Sequence, residues 1–129
     1  MSATNSMPTR GLVIAEPWIS QILAGRKTWE MRTKATNIRG RIGLIRKGSG
    51  LVVGTAELVD SLPALNAVDL AAHERRHRVP LERQAHMLAG GWVVPWVLRG
   101  ARVFLPPIRY VHPPGAVIWV TLNVAAVTP

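Results

Sequence analysis

Hydrophobic and polar positions mark out a succession of short elements along the chain. From Gly11 to Glu16 the run Leu-Val-Ile-Ala has strand character, and Pro17 stops it while presetting the backbone angle for a helix's first position. Ile19, Ile22 and Leu23 then share one helical face, and Gly25 stands where a left-handed C-terminal cap belongs. Over Lys27–Arg32 the period becomes two: Trp29 and Met31 point one way, and Thr28, Glu30 and Arg32 the other. Strands at Arg41–Arg46 and Leu51–Asp60 flank Lys47-Gly-Ser-Gly50, the composition of a tight hairpin turn. Gly54, inside the second of them, predicts a bulge or a close backbone approach.

The middle of the chain returns to helical spacing. Pro63–His77 is rich in Ala and Leu, and Pro80–Ala89 places Leu81, Ala85 and Leu88 on one stripe before Gly90-Gly91 ends it. β-Branched and aromatic residues come back over Val93–Phe104 and Gly115–Val124, punctuated by Pro106-Pro107 and Pro113-Pro114. The pattern predicts about six or seven mostly antiparallel strands and three short helices. Too few helices exist to cover both faces of a parallel sheet, so the predicted fold is α+β, a small closed or half-closed barrel with short helices capping it.

At 129 residues, 48% of them apolar, the chain is one domain with a real core, expected over 11–129 behind a flexible tail at 1–10. That tail lacks the apolar stretch of a secretory signal, and charges interrupt every apolar run before it reaches membrane-spanning length. A soluble cytoplasmic protein is expected. The absence of cysteine excludes disulfides, thiolate zinc sites and a cysteine nucleophile.

Charge changes the picture most. Sixteen Lys+Arg against seven Asp+Glu leave a net charge of +9, which favours phosphate-rich or otherwise anionic partners. Eight of those cations (Arg26, Lys27, Arg32, Lys34, Arg39, Arg41, Arg46 and Lys47) fall within 22 residues whose only acid is Glu30. No helix-turn-helix or zinc finger is present to enter a duplex groove, so single-stranded or structured RNA is the expected partner. Of the five tryptophans, Trp18, Trp29, Trp92, Trp96 and Trp119, most belong in the core and one or two at a pocket mouth.

Other chemistry is sparse. His73-Glu-Arg-Arg-His77 has the form of a zinc helix motif, but Arg75 and Arg76 would stand beside the metal and Pro80 ends the segment within a turn. A solvated, cationic helix end is expected there, with no metal and no cofactor. His112, in a loop beside Pro113-Pro114, could face the cleft or satisfy loop carbonyls, and Tyr110 could stack beside it. There is no nucleophile elbow, no phosphate loop and no dinucleotide fingerprint.

Gly25-x-Lys27-x-x-Glu30-x-Arg32, preceded by Glu16-Pro17-Trp18 and the helix carrying Ile22-Leu23, resembles the GxKxxExR signature of the ASCH domain, a PUA-like β-barrel family. Gly40-Arg-Ile-Gly43, Val53-Gly-Thr-Ala56, Trp96-Val-Leu98, Pro107-Ile-Arg-Tyr110 and Gly115–Val120 fit the same pattern, so the resemblance spans roughly 11–124. It implies a cleft lined by Lys27, Glu30 and Arg32 and a role in RNA binding or processing. Members are divided among RNA binders, ribonucleases and amidohydrolases of acetylated cytidine.

In a binding role, Arg32 holds Glu30 ionised on the same strand face while Lys27 adds a mobile cation, together gripping a phosphate or base edge. Trp18, Arg26, Arg39, Arg41, Arg46, Lys47, Tyr110 and His112 are the expected flanking contacts. In a ribonuclease, Glu30 would be the general base and Lys27 would stabilise charge at phosphorus. The blander alternative is an Arg32–Glu30 pair that sets strand register. The resemblance implies, for the amidohydrolase branch, a Thr three residues after the Lys; Glu30 stands there, which makes that activity the weaker alternative. A protein-interaction module docking an acidic partner is the third.

Overall fold

The computed structural model describes residues 7–122 and the backbone of 127–128. The expected tail at 1–6 and the end of the last predicted strand, 123–124, lie outside the described residues. The remainder of the expected tail is attached: Met7 packs against a core cluster, and Arg10 already pairs with Thr121.

Among the described residues the elements follow in the order β1 (Arg10–Ile14), α1 (Trp18–Leu23), β2 (Trp29–Arg32), β3 (Gly40–Arg46), β4 (Leu51–Ser61), α2 (Ala67–Ala72), α3 (Glu74–His77), α4 (Leu81–Gly90), β5 (Val94–Tyr110), β6 (Trp119–Thr121) and β7 (Val127–Thr128). The strands make one sheet in the order β2-β5-β4-β3-β1-β6, with β7 on the far end of β5. All pairings are antiparallel except β1 with β3, which the α1–β2 connection separates in the chain. The sheet curls into a half-barrel with short helices against it, the expected α+β architecture.

Three apolar clusters hold it. Leu12, Ile14, Ile19, Ile22, Ile42, Leu44, Leu58 and Trp96 fill the barrel, while Val13, Ile45, Val52, Tyr110 and Val120 make a second cluster. The third joins Trp29 and Met31, on the outward face of β2, to Leu70, Val79 and Met87 of the helical segment. Burying alternate residues of β2 on two sides is what period-two alternation predicts. Glu30 and Arg32 are thereby turned toward the barrel.

Several local expectations resolve differently. The predicted Pro63–His77 helix is broken at His73 into α2 and α3, giving four helices among the described residues. Along α4 the predicted stripe is exposed at Leu81, Ala85 and Leu88; Gln84 and Met87 are buried instead. Apolar residues surround α4, so its docking face is chosen by Met87 entering the Trp29–Met31 cluster and by Gln84 Nε2 donating to the Val79 carbonyl at 3.0 Å. Pro106-Pro107 do not end β5 either: between the pairs Gly54–Val103 and Val52–Ile108 four β5 residues face Val53 alone, a bulge that spares the prolines a ladder bond.

Candidate functional site

The tight exit from α1 places the signature. Gly25 adopts φ +80° and turns the chain, and the Gln21 carbonyl accepts hydrogen bonds from the backbone N–H groups of Arg26 and Lys27 at 3.0 and 3.1 Å. Strand β2 follows at once, carrying Glu30 and Arg32 on one face. Arg32 grips Glu30 Oε2 through Nε at 3.0 Å and Nη2 at 2.8 Å, and Nη2 also donates to the Val13 carbonyl at 2.8 Å. Lys27 Nζ lies 3.8 Å from Glu30 Oε1. Lys27, Glu30 and Arg32 therefore meet in one cluster.

Tryptophans frame it. Lys27 Nζ stands 5.0 Å from the centroid of the Trp18 ring, and the Arg32 guanidinium 5.5 Å from that of Trp96. Trp119 stacks on Trp96 at 5.8 Å, and Trp96 Nε1 donates to the Lys34 carbonyl at 2.9 Å. Trp29 and Trp96 are core, Trp18 and Trp119 are half-buried and Trp92 is exposed, so fewer of the five tryptophans are buried than expected.

The cluster is more enclosed than a cleft. Lys27, Glu30 and Arg32 are 2%, 6% and 9% exposed. Lys27 is not the mobile cation expected, because its ammonium donates to the His77 carbonyl at 2.7 Å. Burial is the main reason its pKa falls from 10.5 to about 8; the Glu30 carboxylate opposes that fall and Arg32 adds to it. At neutral pH two cations thus share one carboxylate away from water. Glu30 Oε1 and Arg32 Nη1 make no hydrogen bond to any described residue. One acceptor and one donor atom of the cluster are left with hydrogen-bonding capacity, the two roles a nucleobase edge or an amide would use.

The zinc-like motif serves the backbone. Fully buried His77 engages the Leu70 carbonyl through Nε2 at 2.7 Å and accepts from the Val79 N–H at Nδ1 at 3.0 Å. Burial lowers its pKa, keeping the imidazole neutral. His73 packs on the Trp29 ring at 4.9 Å. With both ring nitrogens of His77 occupied, metal binding would have to break the contacts that order α3.

The remaining predicted residues divide. Arg26 lies at the rim of an open hollow beside α1 and α3. Arg39 faces Asp60 at 3.6 Å, Arg46 pairs with Glu16, and Lys47 is exposed in the hairpin turn. Arg41 instead reaches the Thr55 hydroxyl at 2.9 Å on the other face of β3. Arg41 and Arg46 have opposite parity along β3, so the cations of 39–47 are not gathered on one side. Tyr110 and His112 are bound to each other at 2.7 Å, with His112 Nε2 2.7 Å from the Ala116 carbonyl. They tie down the 111–116 loop over the second cluster, apart from the signature residues, which settles His112 on loop carbonyls. The sequence offered no sign of the Val13 and His77 carbonyls that complete the site, because any residue can supply a carbonyl.

A curled half-barrel sheet with a few short helices is a PUA-like fold. The chain belongs to the ASCH domain family, whose model matches residues 12–108. No curated protein matches the chain. Among solved structures, it is similar to the ASCH protein of Zymomonas mobilis, with a TM-score of 0.66 and 17% identity over 89% of this chain and 87% of that one. Serine-to-alanine and tyrosine-to-phenylalanine variants of that protein each superpose with a TM-score of 0.64, also at 17% identity; coverage is 90% of this chain in both cases, and 89% and 91% of the variants. At that identity the likeness speaks for the fold.

Proposed function

We propose that this protein binds RNA, or a nucleotide-containing ligand, by receiving an unpaired base at the Lys27–Glu30–Arg32 cluster, with Trp18 and Trp119 beside it. The observation that carries this reading is the convergence of two cations and one carboxylate among tryptophans, with Glu30 Oε1, 3.8 Å from Lys27 Nζ, and Arg32 Nη1 making no hydrogen bond to any described residue. Net charge +9 supplies the general attraction for phosphate, and base edges and stacking supply selectivity. Family membership supports a nucleic-acid role in general terms. Recognition is favoured over phosphodiester cleavage because Lys27 is spent on the His77 carbonyl and Glu30 on Arg32, so neither is free to move a proton. The same Arg32-bound Glu30 argues against amidohydrolysis.

Titration of short single-stranded RNAs at several salt concentrations tests this. Affinity should fall steeply with salt. At fixed salt, Trp119→Ala should weaken binding by about fivefold to a hundredfold, the range of one lost base stack. Glu30→Gln should change which base is preferred while leaving the salt slope intact. Salt-independent binding, or identical affinities for both variants, would defeat the proposal, as would RNA cleavage that depends on Lys27.

A further inference from the structure

A second feature lies on the other side of the signature loop. Gln21, Arg26, Glu74, Arg75 and Arg78 line an open hollow of about 520 Å³. Its cations come from two distant segments that the backbone ties together. Arg78 Nε donates to the Arg26 carbonyl at 3.0 Å, and the Thr28 N–H donates to the Arg76 carbonyl at 3.0 Å. The Lys27–His77 bond is a third tie across the same junction. Arg26, Arg75 and Arg78 make no salt bridge with any described acid.

Three guanidinium groups thus surround one space with a single carboxylate among them, and that carboxylate, Glu74, is turned partly to Gln84 Nε2 at 3.5 Å. Their mutual repulsion is relieved by an anion. Guanidinium forks match the paired oxygens of a phosphate. Gln21 adds an unusual element: its Oε1 is enclosed and accepts no hydrogen bond from any described residue. A buried acceptor without a donor is unfavourable. Gln21 lines the hollow, so a turn of its amide about the soft terminal torsion would bring that acceptor to a ligand hydroxyl, and Glu74 offers another acceptor.

From this arrangement we infer that the hollow is a phosphate-binding site for a ribose phosphate, with Arg26, Arg75 and Arg78 holding the phosphate and Gln21 accepting from a ribose hydroxyl. The site is separate from the base-receiving cluster and does not depend on it. Its chemistry is met equally by a free nucleotide or by the backbone of an RNA strand.

Nuclear magnetic resonance titration of the full chain separates these sources. The probes are inorganic phosphate, adenosine 5′-monophosphate, its 2′,3′-dideoxy analogue, a six-nucleotide oligoadenylate and a hexaglutamate. The side-chain Nε–H signals of Arg26, Arg75 and Arg78 should shift saturably with adenosine monophosphate or oligoadenylate. Loss of the ribose hydroxyls should weaken binding by about tenfold, the scale of one hydrogen bond to a buried acceptor. A response to the mononucleotide assigns the site to free nucleotides, and a response to the oligomer alone assigns it to RNA. The Arg26→Gln, Arg75→Gln, Arg78→Gln variant, whose three positions are exposed and whose folding is checked by its amide spectrum, should lose this response.

Unmoved arginine signals with every probe, an unchanged response in the triple variant, or hexaglutamate acting as well as oligoadenylate would overturn the inference. Trp119→Ala should leave these shifts in place, so failure of the base-receiving site and failure of this one are told apart.

Discussion

Lys27 shows how position overrides residue type. An exposed lysine after a helix would be a mobile charge, but here the ammonium is enclosed beside a second cation and fixed to a carbonyl. Its lowered pKa makes stability depend on pH with a definite sign. Between the folded value near 8 and the unfolded value of 10.5, the unfolded chain binds more protons, so stability rises with pH across that window. Tyr110, whose pKa burial raises, acts in the opposite direction above its ordinary value of 10. The useful range is therefore pH 7.5 to about 9.5, where urea denaturation should show a stability gain of about 1–2 kcal/mol. Lys27→Met should flatten that gain. The strand parity that unites Glu30 with Arg32 was legible from alternation alone, whereas the burial of Lys27 was not, because the His77 carbonyl that receives it lies 50 residues further on.

Among the elements, Gly54 is a point where local pattern and packing agree. A Cβ there would stand 2.2 Å from the Arg102 carbonyl oxygen and 2.8 Å from Leu23 Cδ2, so β4 and α1 can approach only over a bare backbone. Gly54→Ala should destabilise the protein by about 2 kcal/mol or more in chemical denaturation, since the closest neighbour is main chain and cannot swing away. The turn at 47–50 and the entry and exit of α1 were equally readable, being set by Pro and Gly chemistry within a few residues. The face of α4 was not. Leu81, Ala85 and Leu88 form as good a stripe as any, and only contact with Trp29, Met31, Leu70 and Val79 selects Met87.

For the whole molecule, the basic excess is divided by tertiary structure into charges that are answered and charges that are not. Arg39 and Arg46 have carboxylate partners, whereas Arg26, Arg75 and Arg78 gather unpaired, among the described residues, around one hollow. The Arg39→Gln, Arg46→Gln double variant should therefore change the slope of log affinity against log salt by less than about 0.7, the contribution of one phosphate on a single strand. No described helix is long and apolar enough to cross a membrane.

The amino-acid sequence determined the order and type of most elements, the excess of positive charge and the GxKxxExR motif, because period, turn chemistry and composition act over a few residues. Which carbonyls close the signature site, which arginines are neutralised, and that His73–Arg78 folds back on Arg26 were decided only by the tertiary structure. Those contacts join segments some fifty residues apart, and their energy exists only after the sheet has curled and the helices have docked.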